Sequence, residues 1–382
     1  MEPIRVLQED VILDPGGIEV LLMNLYRHID REQLQFDFMV HRPTKGLYED
    51  EITSMGGKIY HTPAFNPFKM KSYKDGIEKV LIDHPEYKVF HCHTELNLWP
   101  LKYATKLGVP VRVAHSHNAK STVDLKYFFF LYEKMFIKKY CTDMFMCSKP
   151  AGEWSYGKKA VAEGRVKYLN GIVETNKFKY NEQVRREMRE ELNVGDKIVI
   201  GHIGRFMKQK NHMFLLEIFK EIHSMNPNTV LVLCGNGILE DNIKTKAKEL
   251  GIENDVIYTG VKDYVNVETC RLYQAFDLFL FPSLWEGLPL SGIEAQTSGL
   301  PLVMSDVIAK QTIVTENVTQ VSLSKSTEEW AKICLDILSK FERKDCQKQV
   351  VDAGFDVINT ANFLQDFYID RTLRARHMEK TK

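Results

Sequence analysis

Short apolar runs alternate with amphipathic stretches along this chain. Ile4–Leu7 is the first apolar run and reads as a strand. It leads through Asp14-Pro15-Gly16-Gly17 into a helical pattern from Ile18, where Val20, Leu21, Leu22, Leu25 and Ile29 recur at helical intervals. Further strands are predicted at Phe36–Val40, Lys58–Tyr60, Val89–Cys92, Val111–Ala114, Met144–Cys147 and Val166–Leu169. Helices are predicted over Tyr73–Asp83 and Leu98–Leu107, the second closed by Gly108. Apolar strands in strand–helix–strand order predict a parallel sheet covered on both faces.

The pattern then repeats. A charged helix over Glu182–Leu192 precedes strands at Ile198–Ile203, Val230–Cys234, Val256–Thr259, Leu278–Phe281 and Leu302–Ser305. Helices over Met213–Ser224, Ile243–Leu250 and Ser291–Thr297 alternate with them. The fold class is therefore α/β, with two Rossmann-like doubly wound domains. The boundary falls in the Asn-Gly-containing stretch at 170–178, which gives domains at 1–172 and 173–359. A last helix, Thr360–Arg376, carries Phe363, Phe367 and Leu373 and is expected to pack back on the first domain.

Composition narrows the function classes. At about 100–200 residues per domain, 382 residues agree with two domains. A 44% hydrophobic content with 21 Phe, 16 Tyr and 4 Trp can fill real cores and argues against disorder. Lys+Arg 51 balance Asp+Glu 51, so a general nucleic-acid coat is disfavoured. The seven cysteines show no CxxC spacing, which suggests neither a zinc ribbon nor a disulfide framework. No apolar run reaches about 18 residues and no signal-peptide pattern opens the chain, so a cytoplasmic location is expected.

Four loops that follow predicted strands hold the candidate chemistry. Pro282–Ala295 runs from a strand through Glu286, Gly287, Leu288, Pro289, Leu290 and Ser291 into a helix with Glu294. N–H groups at that helix start favour a phosphate, and the two carboxylates suit vicinal hydroxyls; a capped strand–helix turn competes with this reading. Gly204-Arg205, with Lys208 and Lys210, follows Ile198–Ile203 and could clamp a pyrophosphate, or be a solvated basic turn. Gly16-Gly17 would let a ligand approach the backbone, but it lacks the GxGxxG spacing of nicotinamide sites. His115-Ser116-His117 follows Val111–Ala114, and His91-Cys92-His93 follows the strand before it. A polar turn and a metal pair compete there, and alternate residues of one strand are a poor start for a tetrahedral set.

Taken together, Gly16-Gly17, His117, Gly204-Arg205 with Lys210, and Glu286-x7-Glu294 resemble retaining glycosyltransferases of family four. Bacterial members that build exopolysaccharide or capsule are the most similar. The resemblance runs from Arg5-Val6-Leu7 to about Leu323 and includes Asn170-Gly171-Ile172 as the interdomain segment. It implies the GT-B fold, with both domains facing a central cleft. It also implies transfer of a hexose from a nucleoside diphosphate sugar, with UDP expected, without a metal or other cofactor. By that resemblance Glu294 holds the ribose and Glu286 the donor sugar hydroxyls. Arg205 and Lys210 clamp the diphosphate beside Gly204, Gly287, Leu288, Leu290 and Ser291. Gly16 and Gly17 face the phosphates and acceptor, His117 lies near the sugar, and Val261 meets the base. Two departures stand out: Pro289 occupies a common Gly position, and Val307–Gln311 replaces a Gly-Gly-x-x-Glu pattern. A sugar-nucleotide epimerase of the same fold, or an inactive nucleotide-sugar binder, are the competing readings.

Charge is distributed unevenly. Residues 101–170 carry 13 Lys+Arg against 5 Asp+Glu, and this block includes the aromatic, lysine-rich run Lys126–Lys139. A core helix with a lysine edge is the simpler reading of that run. The alternative is weak contact with an anionic inner-membrane face, where a lipid-linked or other saccharide acceptor would be met.

Overall fold

The computed structural model describes residues 2–14, 16–94, 98–117, 125–169, 173–260, 268–286 and 288–380, without the side chains of 125–129 and 378–380. Val261, Gly287 and the Asn170-Gly171-Ile172 segment lie outside the described residues. The chain forms two compact units, Met1–Ile172 with Val357–Lys382, and Val173–Asp356.

The first unit is built on seven strands: β1 (Ile4–Asp10), β2 (Leu34–Val40), β3 (Ile59–His61), β4 (Val89–Cys92), β5 (Val111–Ser116), β6 (Asp143–Met146) and β7 (Val166–Tyr168). Their order is β3-β2-β1-β4-β5-β6-β7, every pairing parallel. Alternate residues face opposite layers. Val6 joins Leu22, Leu25, Phe36 and Tyr368 in one core, while Leu7 joins Tyr73, Ile77, Phe90 and Leu101 in the other. Burial on both faces explains why these strands read as nearly continuous apolar runs.

The second unit has six parallel strands, β8 (Ile198–Ile203), β9 (Thr229–Cys234), β10 (Val256–Gly260), β11 (Leu278–Phe281), β12 (Leu302–Ser305) and β13 (Val318–Val321), in the order β10-β9-β8-β11-β12-β13. Again the two faces are filled separately, by Ile200, Leu215, Leu231 and Trp330 on one side and Val199, Phe279, Ile293 and Tyr273 on the other. In each sheet the first strand lies between partners whose connections leave in opposite directions. At the C-terminal ends of such strands an open parallel sheet leaves a crevice for ligands.

Edge elements depart from the sequence reading. The edge strand β13, Val-Thr-Gln-Val, is half polar and carries no strong apolar run. The helix Thr327–Lys340 also went unpredicted, although Ser326 and Glu329 form a reciprocal capping box whose spacing is visible in the sequence. The last helix runs over Val357–Lys380, longer at both ends than the apolar periodicity. Val357, Leu364, Phe367 and Tyr368 bury its inner face in the first unit's core. Its Asp370–Arg374 ion pair is on the exposed side.

Candidate active site

In the second unit the switch-point strands β8 and β11 end side by side, and their loops are tied together. The β8 loop turns at Gly204 and Arg205, with Phe206 buried beneath it. Gly235, at φ +145°, lies so close that a Cβ there would meet the Gly204 carbonyl oxygen at 2.1 Å. Gly237 (φ +154°) is likewise pressed on the Phe206 carbonyl, 2.5 Å from a would-be Cβ. Both positions therefore require glycine. Main-chain bonds lock this arrangement: Gly204 N–H donates to Cys234 O at 3.0 Å, and Phe206 N–H to Asn236 O at 2.7 Å.

Lys208–Lys210 form a single 3-10 turn that ends at Asn211 in the left-handed region, φ +58°. Asn211 Nδ2 donates to Pro282 O (3.1 Å), and Leu284 N–H donates to Gln209 O (2.8 Å). These bonds hold the β8 loop to the β11 loop. Lys210 Nζ then donates to Glu286 Oε1 at 2.7 Å, and Gln209 Nε2 to Glu286 Oε2 at 3.0 Å. Side-chain exposure is 14% for Lys210 and 6% for Glu286. The ammonium also stands 4.7 Å from the Phe281 ring centroid. Sequence reasoning chose Lys210 and Glu286 but missed Gln209, which satisfies the second carboxylate oxygen. Arg205 is different. Its side chain is exposed and has no hydrogen-bond or ion-pair partner among the described residues.

After β11, Leu290–Thr297 is an eight-residue helix with Pro289 at its cap position and no side-chain cap. Its first N–H groups are thus not satisfied by a capping side chain. Leu288 packs on the core, while Leu290 and Ser291 are half-buried in the first turn. Glu294 is 3% exposed, and the Tyr273 hydroxyl, 3.2 Å from Ser291 O, donates its one proton to Glu294 Oε2 at 2.7 Å. Tyr273 is held in turn: Arg343 donates to the carbonyls of Tyr273, Gln274, Phe276 and Ser298. An aromatic residue in a helix with ordinary core spacing gave no sign of this role.

The first unit places its candidates at the ends of β1, β4 and β5. Gly16 is extended (φ −141°) at the cap position of the helix Gly17–His28. A Cβ on Gly16 would fall 2.3 Å from Glu19 Oε2, so that carboxylate lies over the glycine in the helix's first turn. Gly17 has open space around it. His93 Nδ1 and His117 Nε2 are 3.1 Å apart, and His115 and His117 rings lie 4.0 Å apart. The β4–β5 register brings His91 and His93 beside His115 and His117, which sequence had seen as two separate pairs. Ring nitrogens of His91, His93 and His115 lie within 4.8 Å of one another. However, the stacked rings are only 27° (His91–His93) and 26° (His91–His115) from parallel. In-plane lone pairs on such near-parallel rings run side by side, so His91 shares no converging direction with either neighbour, while His93 and His115 are tilted by 53°.

Burial pushes the His117 pKa down to about 3 and that of His212 to about 4, the latter lowered further by Lys210. His91, His93, His115 and His202 are also moved well below the usual imidazole value by burial. All six rings are thus neutral at pH 7.

Residues 184–350 match the family described as Glycosyl transferases group 1. This stretch contains Arg205, Lys210, Glu286 and Glu294. Over 377 residues the chain is 29% identical to the putative glycosyltransferase EpsF of Bacillus subtilis (strain 168), covering 95% of this chain and 96% of that one. It is 26% identical over 176 residues to the Escherichia coli UDP-Gal:alpha-D-GlcNAc-diphosphoundecaprenol alpha-1,3-galactosyltransferase, 44% of either chain. Among solved structures, HepE of Anabaena in complex with UDP superposes with a TM-score of 0.79 at 17% identity, covering 96% of this chain and 100% of that one. The fold is GT-B, and residues 184–350 are a group 1 glycosyltransferase domain. The similarity to EpsF spans nearly the full length of the chain.

The buried histidines make acid lability a test of this geometry. Each ring stays neutral when folded but takes a proton near 6.5 when unfolded, so its contribution is complete above pH 6.5 and is lost as pH falls toward its lowered folded value, about 4 for His212 and about 3 for His117. Asp10, whose pKa burial raises, works in the opposite sense but is a single group. Denaturant unfolding should show a stability loss of at least about 2 kcal/mol between pH 7 and pH 5. A flat profile over that range would mean that the histidines are solvated.

Proposed function

We propose that this chain transfers a hexose from a nucleoside diphosphate sugar, with UDP as the expected nucleotide, to a saccharide or lipid-linked acceptor in surface-polysaccharide assembly. Transfer proceeds with retention of anomeric configuration and without a metal. One observation carries this reading: two cations, Arg205, which has no side-chain polar partner among the described residues, and the Glu286-paired Lys210, stand at the C-terminal ends of β8 and β11. The UDP complex of HepE and the UDP-Gal named for the Escherichia coli relative support the choice of nucleotide.

Charge development sets the roles. As the glycosidic bond breaks, negative charge grows on the leaving diphosphate. Fixed donors aimed at that charge lower the barrier because they need no reorganisation. Arg205 offers a planar fork, and Lys210 keeps two N–H donors beyond the one given to Glu286. The start of the Leu290–Thr297 helix adds backbone N–H groups. Glu286 accepts from sugar hydroxyls and Glu294 from the ribose. Gly204, Leu288, Leu290 and Ser291 line the phosphate path, and Gly16 and Gly17 form the corresponding loop of the first unit. His117 meets the sugar ring, where partial positive charge appears. The leaving phosphate oxygen takes the acceptor hydroxyl proton as the new bond forms on the same face.

Arg205→Ala is expected to lower kcat by about 100- to 1000-fold in a UDP-sugar transfer or hydrolysis assay, the scale for removing one preorganised donor. Because the Arg205 side chain is exposed and makes no hydrogen bond or ion pair among the described residues, the variant's melting temperature should match the wild type. Undiminished turnover would remove the clamp from the mechanism.

A surface feature supports acceptor delivery from a membrane. On the helix Leu125–Tyr140, Leu131, Tyr132 and Met135 are exposed large hydrophobic residues beside Lys134, Lys138 and Lys139. Apolar side chains among lysines suit the boundary of an anionic bilayer. Vesicles with anionic lipid should sediment the protein at low salt, and Met135→Glu should reduce the bound fraction. No sedimentation with anionic vesicles at low salt would exclude the contact.

A further inference from the structure

The histidine row belongs to a longer hydrogen-bonded chain. The register pairs Gln8 with His91, and the two-residue strand period puts Gln8, His91, His93, His115 and His117 on one face of the sheet. Gln8 Nε2 lies 3.3 Å from the Tyr368 hydroxyl and Gln8 Oε1 lies 2.9 Å from His93 Nε2. Tyr368 Oη also bonds His91 Nδ1. Tyr368 comes from the terminal helix, which thereby reaches the edge of the site from 360 residues away in sequence.

Proton order along this chain follows from valence. Gln8 donates through Nε2 to Tyr368, so its carbonyl oxygen faces His93 and only an N–H at His93 Nε2 satisfies it. A neutral imidazole has one N–H. His93 Nδ1 must then accept, and the donor to it is Nε2–H of His117, 3.1 Å away. Both rings are neutral at pH 7 because burial disfavours their charged forms. At the other end Tyr368 is free to donate to His91 Nδ1.

We propose that Gln8, His93 and Tyr368 are positioning residues that hold His117 as the Nε2–H tautomer, leaving Nδ1 as its lone-pair acceptor for the donor sugar. This rests on the reading of His117 as the group that meets that sugar. The chemical consequence is a sign. A lone pair on Nδ1 accepts a sugar hydroxyl and stabilises positive character at the ring, whereas an Nδ1–H would oppose it. Hydrogen bonds that already engage His91 Nδ1, both nitrogens of His93 and His117 Nε2 serve this tautomer lock better than a shared metal ion.

The test is long-range proton–nitrogen correlation NMR on the ¹⁵N-labelled full chain, with His117 assigned by loss of its signals in His117→Asn. Wild type should show a protonated Nε2 and bare Nδ1 at His117 from pH 6 to 8. Gln8→Leu and Tyr368→Phe both break the chain away from the ligand. Each should give a tautomer mixture and about tenfold lower kcat, with an unchanged KM for the nucleotide sugar. Tyr368→Phe keeps the ring in the core and so guards against loss of fold in Gln8→Leu. A wild-type His117 protonated at Nδ1, a His117 tautomer unmoved by both variants, or zinc bound in place of the His93–His117 bond overturns the proposal. Full turnover in His117→Ala would instead overturn the catalytic reading of His117, with the wild-type tautomer measurement unaffected.

Discussion

The Lys210–Glu286 pair is the interaction on which the candidate site of the second unit depends. Both side chains are largely withdrawn from water, and bringing them there carries a desolvation cost that their attraction does little more than offset. Such a pair is a poor device for stability alone. It survives because Gln209 satisfies the second carboxylate oxygen and the Phe281 ring faces the ammonium. Its effect is to join the loops after β8 and β11 at the switch point of the sheet. Everything assigned to the diphosphate and sugar is placed by that join: Arg205 stands on one loop, and Glu286 and the helix start on the other.

Backbone contacts make this arrangement possible. Gly235 and Gly237 let the β9 loop press directly on Gly204 and Phe206, which fixes the turn that presents Arg205. Behind the helix start, Arg343 satisfies four carbonyls and Tyr273 holds Glu294. The site is therefore carried by main-chain geometry and buried donors, with Arg205 exposed and without a polar side-chain partner among the described residues. The first unit uses a different device. Neutral, stacked imidazoles are connected through Gln8 and Tyr368 to its terminal helix, and burial keeps them uncharged.

Much of this was legible in the sequence where the physical signal is strong and local. Strands buried on both faces appear as apolar runs such as Ile198–Ile203 and Leu278–Phe281, and these gave the two parallel sheets. Half-polar β13 at an edge had no such run. The charged and hydroxyl-bearing residues after β8 and β11 were visible because loops at strand ends tolerate them. Their partners were not. Gln209, Tyr273, Gln8 and Tyr368 act through contacts set by folding, and one of them lies 360 residues from its partner. The histidines illustrate the limit. Spacing along each strand suggested two separate pairs, and only the β4–β5 register merged them into one row.

The central claim is that the Lys210–Glu286 join serves donor turnover and adds little to stability, and a double-mutant cycle tests it directly. Lys210→Met, Glu286→Gln and the double variant would be measured for UDP-sugar turnover and for denaturant stability. The account predicts a loss of about 100-fold in kcat/KM for each single variant. It also predicts a clearly non-additive double variant, and a net stability change in the double variant within about 1 kcal/mol of zero. Single variants with wild-type turnover, or fully additive losses in the double variant, would contradict it.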